Sequence, residues 1–428
     1  MAIQPKAAFS VRIKGLADGV YDLRAALVTP DHRRVPLTHV VNTPRGPVTY
    51  CRDVSFRIMA RRSDYLESSV RDAGRVLTHA EALGNPARER FPLDDMRDAQ
   101  ARSIHGLQWF DGRIYIGVGD WNENRGPIRI VSFAPIRAGQ EPQFRPELTV
   151  DDESVDRFRV FGDTLYVPGI DARESWDLGN YYFKRGEQWT KRRTVPNGLH
   201  VLDVAEFRGR LYATAGTELG AALYESADDG LTWRRCGPAW PQEGRFWEMA
   251  VLADGLLVTS EMPRRGAYLL TAEAPEPLFT PLLPGLSAGG QRRLVSHLER
   301  FGDGVVYTTQ SWDNPLHGTL YYLGDLQNGA LAVECFRGKS VTDVVVRDAV
   351  CCVLVVSPKQ RDGRARSWRG TVYRSRDLRA WERVADASFP ALPSALEVAR
   401  DAYYVGLANH APWESADQAS GALWRIGE

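Results

Sequence analysis

The sequence predicts an all-β fold: a seven-bladed β-propeller of four-stranded antiparallel blades, its ring closed by an amino-terminal strand. From about residue 105 onward a unit recurs with a period of roughly 45 residues, the spacing of propeller blades. Within each unit an apolar run, a turn, a second strand often ending in an aromatic residue, and a loop follow in the same order. Seven glycines then each lead a third apolar strand.

The second strands read "FDGRIYIGVG", "FGDTLYVPG", "FRGRLYATAG", "LADGLLVTS", "FGDGVVYTTQ", "VRDAVCCVLVVS" and "ARDAYYVGLA". Their Asp-Gly and Gly-rich openings suit hairpin turns that need positive backbone dihedrals, and their Val, Ile, Leu and Tyr content suits packed strands. The glycines are Gly126, Gly179, Gly220, Gly266, Gly318, Gly370 and Gly421. Radial repetition of such blades leaves only short, protected strand edges. The seventh unit stops just after its third strand, so its fourth must come from elsewhere in the chain. The alternating segments "AAFSVRIKGL", "VYDLRAALV" and "PVTYCRDVSFRIMARR" are the candidates to pair there and remove the open edge. The chain therefore divides into residues 1–104, supplying closure and an extension, and residues 105–428, the repeats.

Composition excludes several classes. With 54 basic and 54 acidic residues there is no net field to draw the molecule to nucleic acid or an anionic membrane. No apolar run reaches the length of a membrane span, and "MAIQPKAAFSV" lacks the basic-then-apolar order of a secretion signal, so a cytoplasmic location is expected. Cys51, Cys236, Cys335, Cys351 and Cys352 are odd in number and scattered, which gives neither a disulfide framework nor a metal-binding pair. Oligomeric state is not encoded in any of these features.

"SADDGLTW", Ser226 to Trp233, falls between the third and fourth strands of the third unit. Asp228 can accept turn amides, Gly230 can turn left-handed, and Trp233 can bury its ring between blades. Ser226, Asp228, Gly230, Thr232 and Trp233 match the S-x-D-x-G-x-T-W pattern of the Asp box, also called the BNR repeat. "SRDLRAW" (Ser375 to Trp381) and "KRGEQW" (Lys184 to Trp189) are degenerate versions at the same hairpin. The repeat region thus resembles the sialidase-like β-propeller superfamily. A sialidase in that superfamily would use an arginine triad for a carboxylate, a tyrosine paired with a glutamate, and an aspartate. "SFRIMARR" places Arg57 in a similar motif, with Met59 where the family has proline.

The loops between second and third strands share the face where propellers usually bind ligands. They carry Asp120, Trp121, Glu123 and Arg125; Asp171, Arg173, Glu174 and Trp176; Glu261, Arg264 and Arg265; Trp312, Asp313 and His317; Lys359, Arg361, Arg364, Arg366 and Trp368; and His410, Trp413 and Glu414. Tryptophan beside carboxylate and arginine suits a sugar, since the ring stacks on a pyranose while charged groups bind hydroxyls or a carboxylate. Asp120, Asp171 and Glu261 are the candidate catalytic carboxylates; Arg173, Trp176, Arg264, Trp312, His317 and His410 are the candidate substrate contacts. His105, His200 and His297 each stand near the start of an innermost strand. Converging on the axis they would bind a divalent metal ion, or one would serve as acid or base. The leading expectation is a carbohydrate-active hydrolase or lyase acting on an anionic glycan. The alternatives are a non-catalytic propeller binding a protein or glycan, and a small-molecule metabolic enzyme using the same pocket.

Overall fold

The structure is a computed structural model. It describes residues 21–28, 34–35, 55–62 and, from Tyr65 onward, all but 94–97, 121–124, 239, 242–243, 254, 261–266, 272–274, 278–292, 312–315, 317, 325–328, 360–366 and 410–417. The chain separates into two compact units, Met1–Tyr65 and Leu66–Glu428. In the first, Tyr21–Val28 pairs antiparallel with Arg34–Val35 and with Ser55–Arg62, the strand that contains Arg57.

The second unit is a seven-bladed β-propeller. The innermost strands of blades one to seven are Ile104–Phe110, Arg159–Phe161, His200–Phe207, Phe246–Val251, Arg293–Phe301, Ser340–Arg347 and Leu392–Ala399. Most turn back through a tight hairpin at positive φ: Asp111 and Gly112, Arg208 and Gly209, Asp348 and Ala349, Arg400 and Asp401. Turns of this hand match the right-handed twist of the strands they join, which is why a short polar pair recurs between apolar runs. Third strands lie at these glycines as the repeat implies, following them in some blades, as Gly220–Ser226 in blade three and Leu423–Ile426 in blade seven, and running through Gly179 and Gly370 in blades two and six.

Ring closure is by an amino-terminal strand, but a different one from those singled out by their alternation. Ala80–Gly84 pairs antiparallel with Leu423–Ile426 and becomes the fourth strand of blade seven. Tyr21–Val28 and Ser55–Arg62 are committed to each other instead, while "AAFSVRIKGL" lies outside the described residues. Just before the closing strand, Ser69–Leu77 adds a fifth, parallel strand to blade six. Apolar packing completes the seam: Ile104 and Phe133 of blade one share a core with Ala395, Tyr404 and Leu423 of blade seven.

The hairpins between third and fourth strands lock each blade to the one before it. In blade three the Ser226 hydroxyl accepts the Gly230 amide at 2.8 Å, and Asp228 accepts the Thr232 amide at 2.9 Å and its hydroxyl at 2.6 Å. These bonds hold the Asp228 carboxyl down to about 2, with the Thr232 hydroxyl as the largest cause. Gly230 sits at φ 75°, and a Cβ there would fall 1.7 Å from the Tyr181 hydroxyl of blade two, so two separate demands require glycine. The Trp233 ring meets Tyr181 edge-on at 5.8 Å and donates to Thr194 at 3.0 Å. Blade six repeats the device: Trp381, fully buried, meets Phe336 of blade five edge-on at 4.7 Å. In blade two, Trp189 meets Tyr115 of blade one at 6.1 Å.

Candidate functional site

Two groups of ionisable side chains surround the axis. The first lines a cavity of about 670 Å³ enclosed by innermost strands of all seven blades. These strands are bulged, with register shifts at Ile104/Gly106, Val201/Asp203, Phe246/Met249, Ser296/Glu299, Val341/Asp343 and Pro393/Ala395. A bulge frees backbone amides from the ladder, and those amides need acceptors. Carboxylates supply them across the blade boundary. Asp203 of blade three accepts Met249 of blade four at 2.8 Å, Glu248 of blade four accepts Leu298 of blade five at 2.8 Å, and Asp343 of blade six accepts Leu396 of blade seven at 2.6 Å. Glu397 of blade seven accepts the Trp109 amide of blade one.

The same carboxylates take arginines. Arg159 grips Asp203 with two 2.8 Å bonds and reaches Glu299 at 3.1 Å; Arg157 bonds Glu248 at 2.9 Å; Arg347 bonds Glu397 at 2.9 Å. In blade five a histidine takes the carboxylate's place. His297 Nδ1 stands 2.8 Å from Asp343, and although burial pulls its pKa down, the Asp343 charge outweighs this and raises it.

The second group lies beside the cavity where blades one, two and three meet. Asp152–Ser154 pairs with Ile170–Ala172, so Glu153 falls opposite Asp171. Gly119 makes room for a third carboxylate: at φ 144° it bridges to Ser154, where a Cβ would lie 2.4 Å from the Ser154 Cα. The Asp120 amide then bonds the Glu153 carbonyl at 3.2 Å. Glu153 and Asp120 are buried, at 3% and 2% exposure, whereas Asp171 is half-buried and reaches solvent. Burial is the chief cause that raises Glu153; the negative charge of Asp171, the hydrogen bond to it, and the charges of Asp120 and Asp156 add to the rise. Burial raises Asp171 as well, opposed by the bond from Glu153 and the charge of Arg245. Both shifts favour one proton shared between the two carboxyls, with Glu153 as donor toward Asp171.

His200 is adjacent, paired in register with Ile170. Burial, with the Arg245 charge, lowers its pKa to about 3, so the ring stays neutral, and its Nδ1 has no hydrogen-bond partner among the described residues. His105 Nε2 lies 2.9 Å from the Gly119 carbonyl, next to Asp120. His105 and Asp156 line the axial cavity, and the charge of Asp156 acts on Glu153, but Glu153, Asp171 and Asp120 are not part of the cavity wall. The loop after Asp171 carries Arg173, whose stem packs over Gly126, and Trp176, which is 57% exposed. Lys191 bonds Glu174 at 2.7 Å, and Arg193 bonds the Ser175 carbonyl at 2.7 Å and Asp177 at 2.6 Å, which holds that loop against the outer strand of blade two.

The structure thus gathers Asp120, Asp171 and His200 around Glu153, and places His105 and His297 on the wall of the axial cavity. His200 is not part of that wall. Among the described residues no group of three His, Cys, Asp or Glu side chains is arranged to hold a metal ion. Glu261, Arg264, Trp312, His317 and His410 lie outside the described residues. Glu153 was not apparent as a site residue; its trace in the sequence is the acidic run "DDESVD", Asp151 to Asp156, just before blade two.

No family model matches the sequence, and no curated protein matches it. Solved structures do. YCF48 bound to D1 peptide is 12% identical, with 84% of this chain and 100% of that chain covered and a TM-score of 0.46. The GH74 xyloglucanase from Xanthomonas campestris is 13% identical over 78% of this chain and 52% of that one, with a TM-score of 0.48. BBS1N in complex with ARL6DN is 12% identical over 84% and 98%, with a TM-score of 0.42. At these identities the likeness is one of fold.

Proposed function

We propose that the protein is a carbohydrate-active enzyme of the hydrolase type whose reaction centre is the Glu153–Asp171 pair. The observation that supports this reading is the facing of two carboxyls, Glu153 buried and Asp171 open to solvent, with Asp156 of the axial cavity wall near enough for its charge to act on Glu153. A glycosidic bond breaks when its bridging oxygen receives a proton while water or a carboxylate attacks the anomeric carbon. Asp171 is the member that meets substrate, and Glu153 behind it is the proton store. Asp120 and Asp156 crowd Glu153 with negative charge and help keep its proton in place near neutral pH. The exposed Trp176 indole is the platform for a sugar ring. The sialidase-like Asp-box resemblance agrees with a glycan ligand, but the chemistry here rests on carboxyls that the resemblance does not supply.

Screening the full chain against a panel of glycosides and polysaccharides tests this. Turnover of a glycan that falls at least a hundredfold in Glu153→Gln and Asp171→Asn, with the melting temperature kept, is the expected result. Full activity in both variants, or no turnover of any glycan, would overturn it. A second reading, a non-catalytic propeller that binds a glycan or protein on this face, is favoured by the burial of Glu153 and Asp120, and predicts binding without turnover.

A further inference from the structure

Three of the four arginines that line the axial cavity are engaged by carboxylates, and the fourth, Arg300, is exposed and bonds the Gly302 carbonyl at 3.3 Å. Arg157, Arg159 and Arg347 spend their charge on Glu248, on Asp203 and Glu299, and on Glu397. Such pairs are poor holders of an anionic substrate group, because the incoming anion must compete with a carboxylate fixed at bonding distance. Among the described lining residues there are six carboxyl groups to four guanidiniums, so the balance favours a cation.

Glu299 is where that excess is accessible. One of its oxygens bonds Arg159 at 3.1 Å; no hydrogen bond to the other is found among the described residues, and the side chain is 36% exposed to the cavity. Burial raises its pKa, and although Arg159 opposes the rise, Glu248, Asp343 and Asp203 add to it. A positive charge beside Glu299 relieves the repulsion that Arg159 alone leaves. The lining also offers the Gln108 side-chain amide, the Trp247 ring being buried beneath Arg157, and the volume falls within the range of about 300–1,000 Å³ common to small-molecule sites.

We propose that the axial cavity takes a sugar bearing a protonated amine, with Glu299 as its counter-ion, so that the substrate class is an amino sugar or an oligosaccharide of amino sugars. This rests on the reading of the site as a sugar site and names the sugar. Calorimetric titration of the full chain with a glucosamine disaccharide, its N-acetylated form, glucuronate and spermidine tests it. The free-amine disaccharide is expected to bind at least tenfold tighter than the acetylated one, with glucuronate and spermidine weaker still. Glu299→Gln should lower the affinity tenfold or more, leaving Arg159 its two bonds to Asp203. As a second measurement on unmodified protein, affinity should weaken as pH falls below about 6, where the sugar amine is protonated throughout and protons compete with it for Glu299, in a pocket that also holds His297, Asp343, Glu248, Arg159 and Arg300, with the Asp203 charge beside them. Equal affinity for the acetylated disaccharide, preference for glucuronate or spermidine, or an affinity unmoved by both Glu299→Gln and pH would overturn the proposal. Assaying hydrolysis on the unmodified chain beside the titration separates the two readings: amine-sugar binding without hydrolysis of any glycan defeats the reaction and leaves this site, whereas hydrolysis confined to acetylated or acidic glycans does the reverse.

Discussion

The carboxylates of the axial wall and those at the meeting of blades one to three are the same residue types put to opposite uses. Asp203, Glu248, Asp343 and Glu397 face amides freed by bulges, and all but Asp343 also take an arginine. Every lone pair engaged this way fastens one blade to the next. Glu153 instead faces Asp171, with Asp120 and Asp156 nearby, so its neighbours penalise ionisation. The contrast teaches that a buried carboxylate whose partners are donors is fixed as a fastener, whereas one whose partners are other carboxylates is left able to keep a proton, which is what the proposed reaction needs.

The comparison breaks most sharply in activity. Asp171→Asn should cut kcat by about 10²–10⁴-fold, the usual worth of a positioned acid or base, with thermal stability unchanged. A full-rate variant would place the chemistry elsewhere.

Next is stability. Asp203→Ala leaves Arg159 without its two-bond partner and the Met249 amide without an acceptor, and should cost about 3–5 kcal/mol in urea unfolding, as when one member of a buried pair is removed. A loss below about 1 kcal/mol would mean that Asp203 does not fasten the blades. Smaller effects belong to the hairpin anchors. Trp381→Ala, at a fully buried ring, should cost about 3–5 kcal/mol, and Trp233→Ala, at a half-buried one, correspondingly less. Equal losses would show that burial is not what sets their worth.

The propeller was legible because its signals are local. A short polar turn, a pair at positive φ in four of the blades, and a glycine at the third strand recur along the chain regardless of what packs where. The closing strand was not. Ala80–Gly84 reads "AEALG", short and rich in residues that favour helix, and it is a strand because Leu423–Ile426 offers it an edge. The histidines were misleading for a related reason. His105, His200 and His297 stand five, seven and four residues before the hairpin residues Phe110, Phe207 and Phe301, and each strand contains a bulge that changes which face later residues take. Counting by twos cannot follow a side chain past an inserted residue. Glu153 was hidden because its partner is 18 residues away (171 less 153) and the two meet only through a pairing outside the regular blade.

The smallest expected effect is a slope. His200 titrates at about 3 in the folded chain against roughly 6.5 when unfolded, so it contributes stability that is complete above pH 6.5 and is lost as pH falls toward 3, at about 1.4 kcal/mol per pH unit. Asp152, raised to about 6 by burial, slopes the other way, so the difference between wild type and His200→Gln is the quantity to read. That difference should grow as pH falls from 6.5 to 4.5, the variant losing less.

The carboxyl pair itself can be observed without a substrate. Carbon-13 NMR of the Glu153 and Asp171 carboxyls through a pH titration, assigned with Glu153→Gln and Asp171→Asn, reads the shared proton directly. One carboxyl of the pair should remain protonated at pH 7 and ionise only above it, while Asp171→Asn lowers the titration of Glu153 by removing the facing charge. If both carboxyls ionise below pH 5, no proton is shared, and the distinction between the two groups of carboxylates fails.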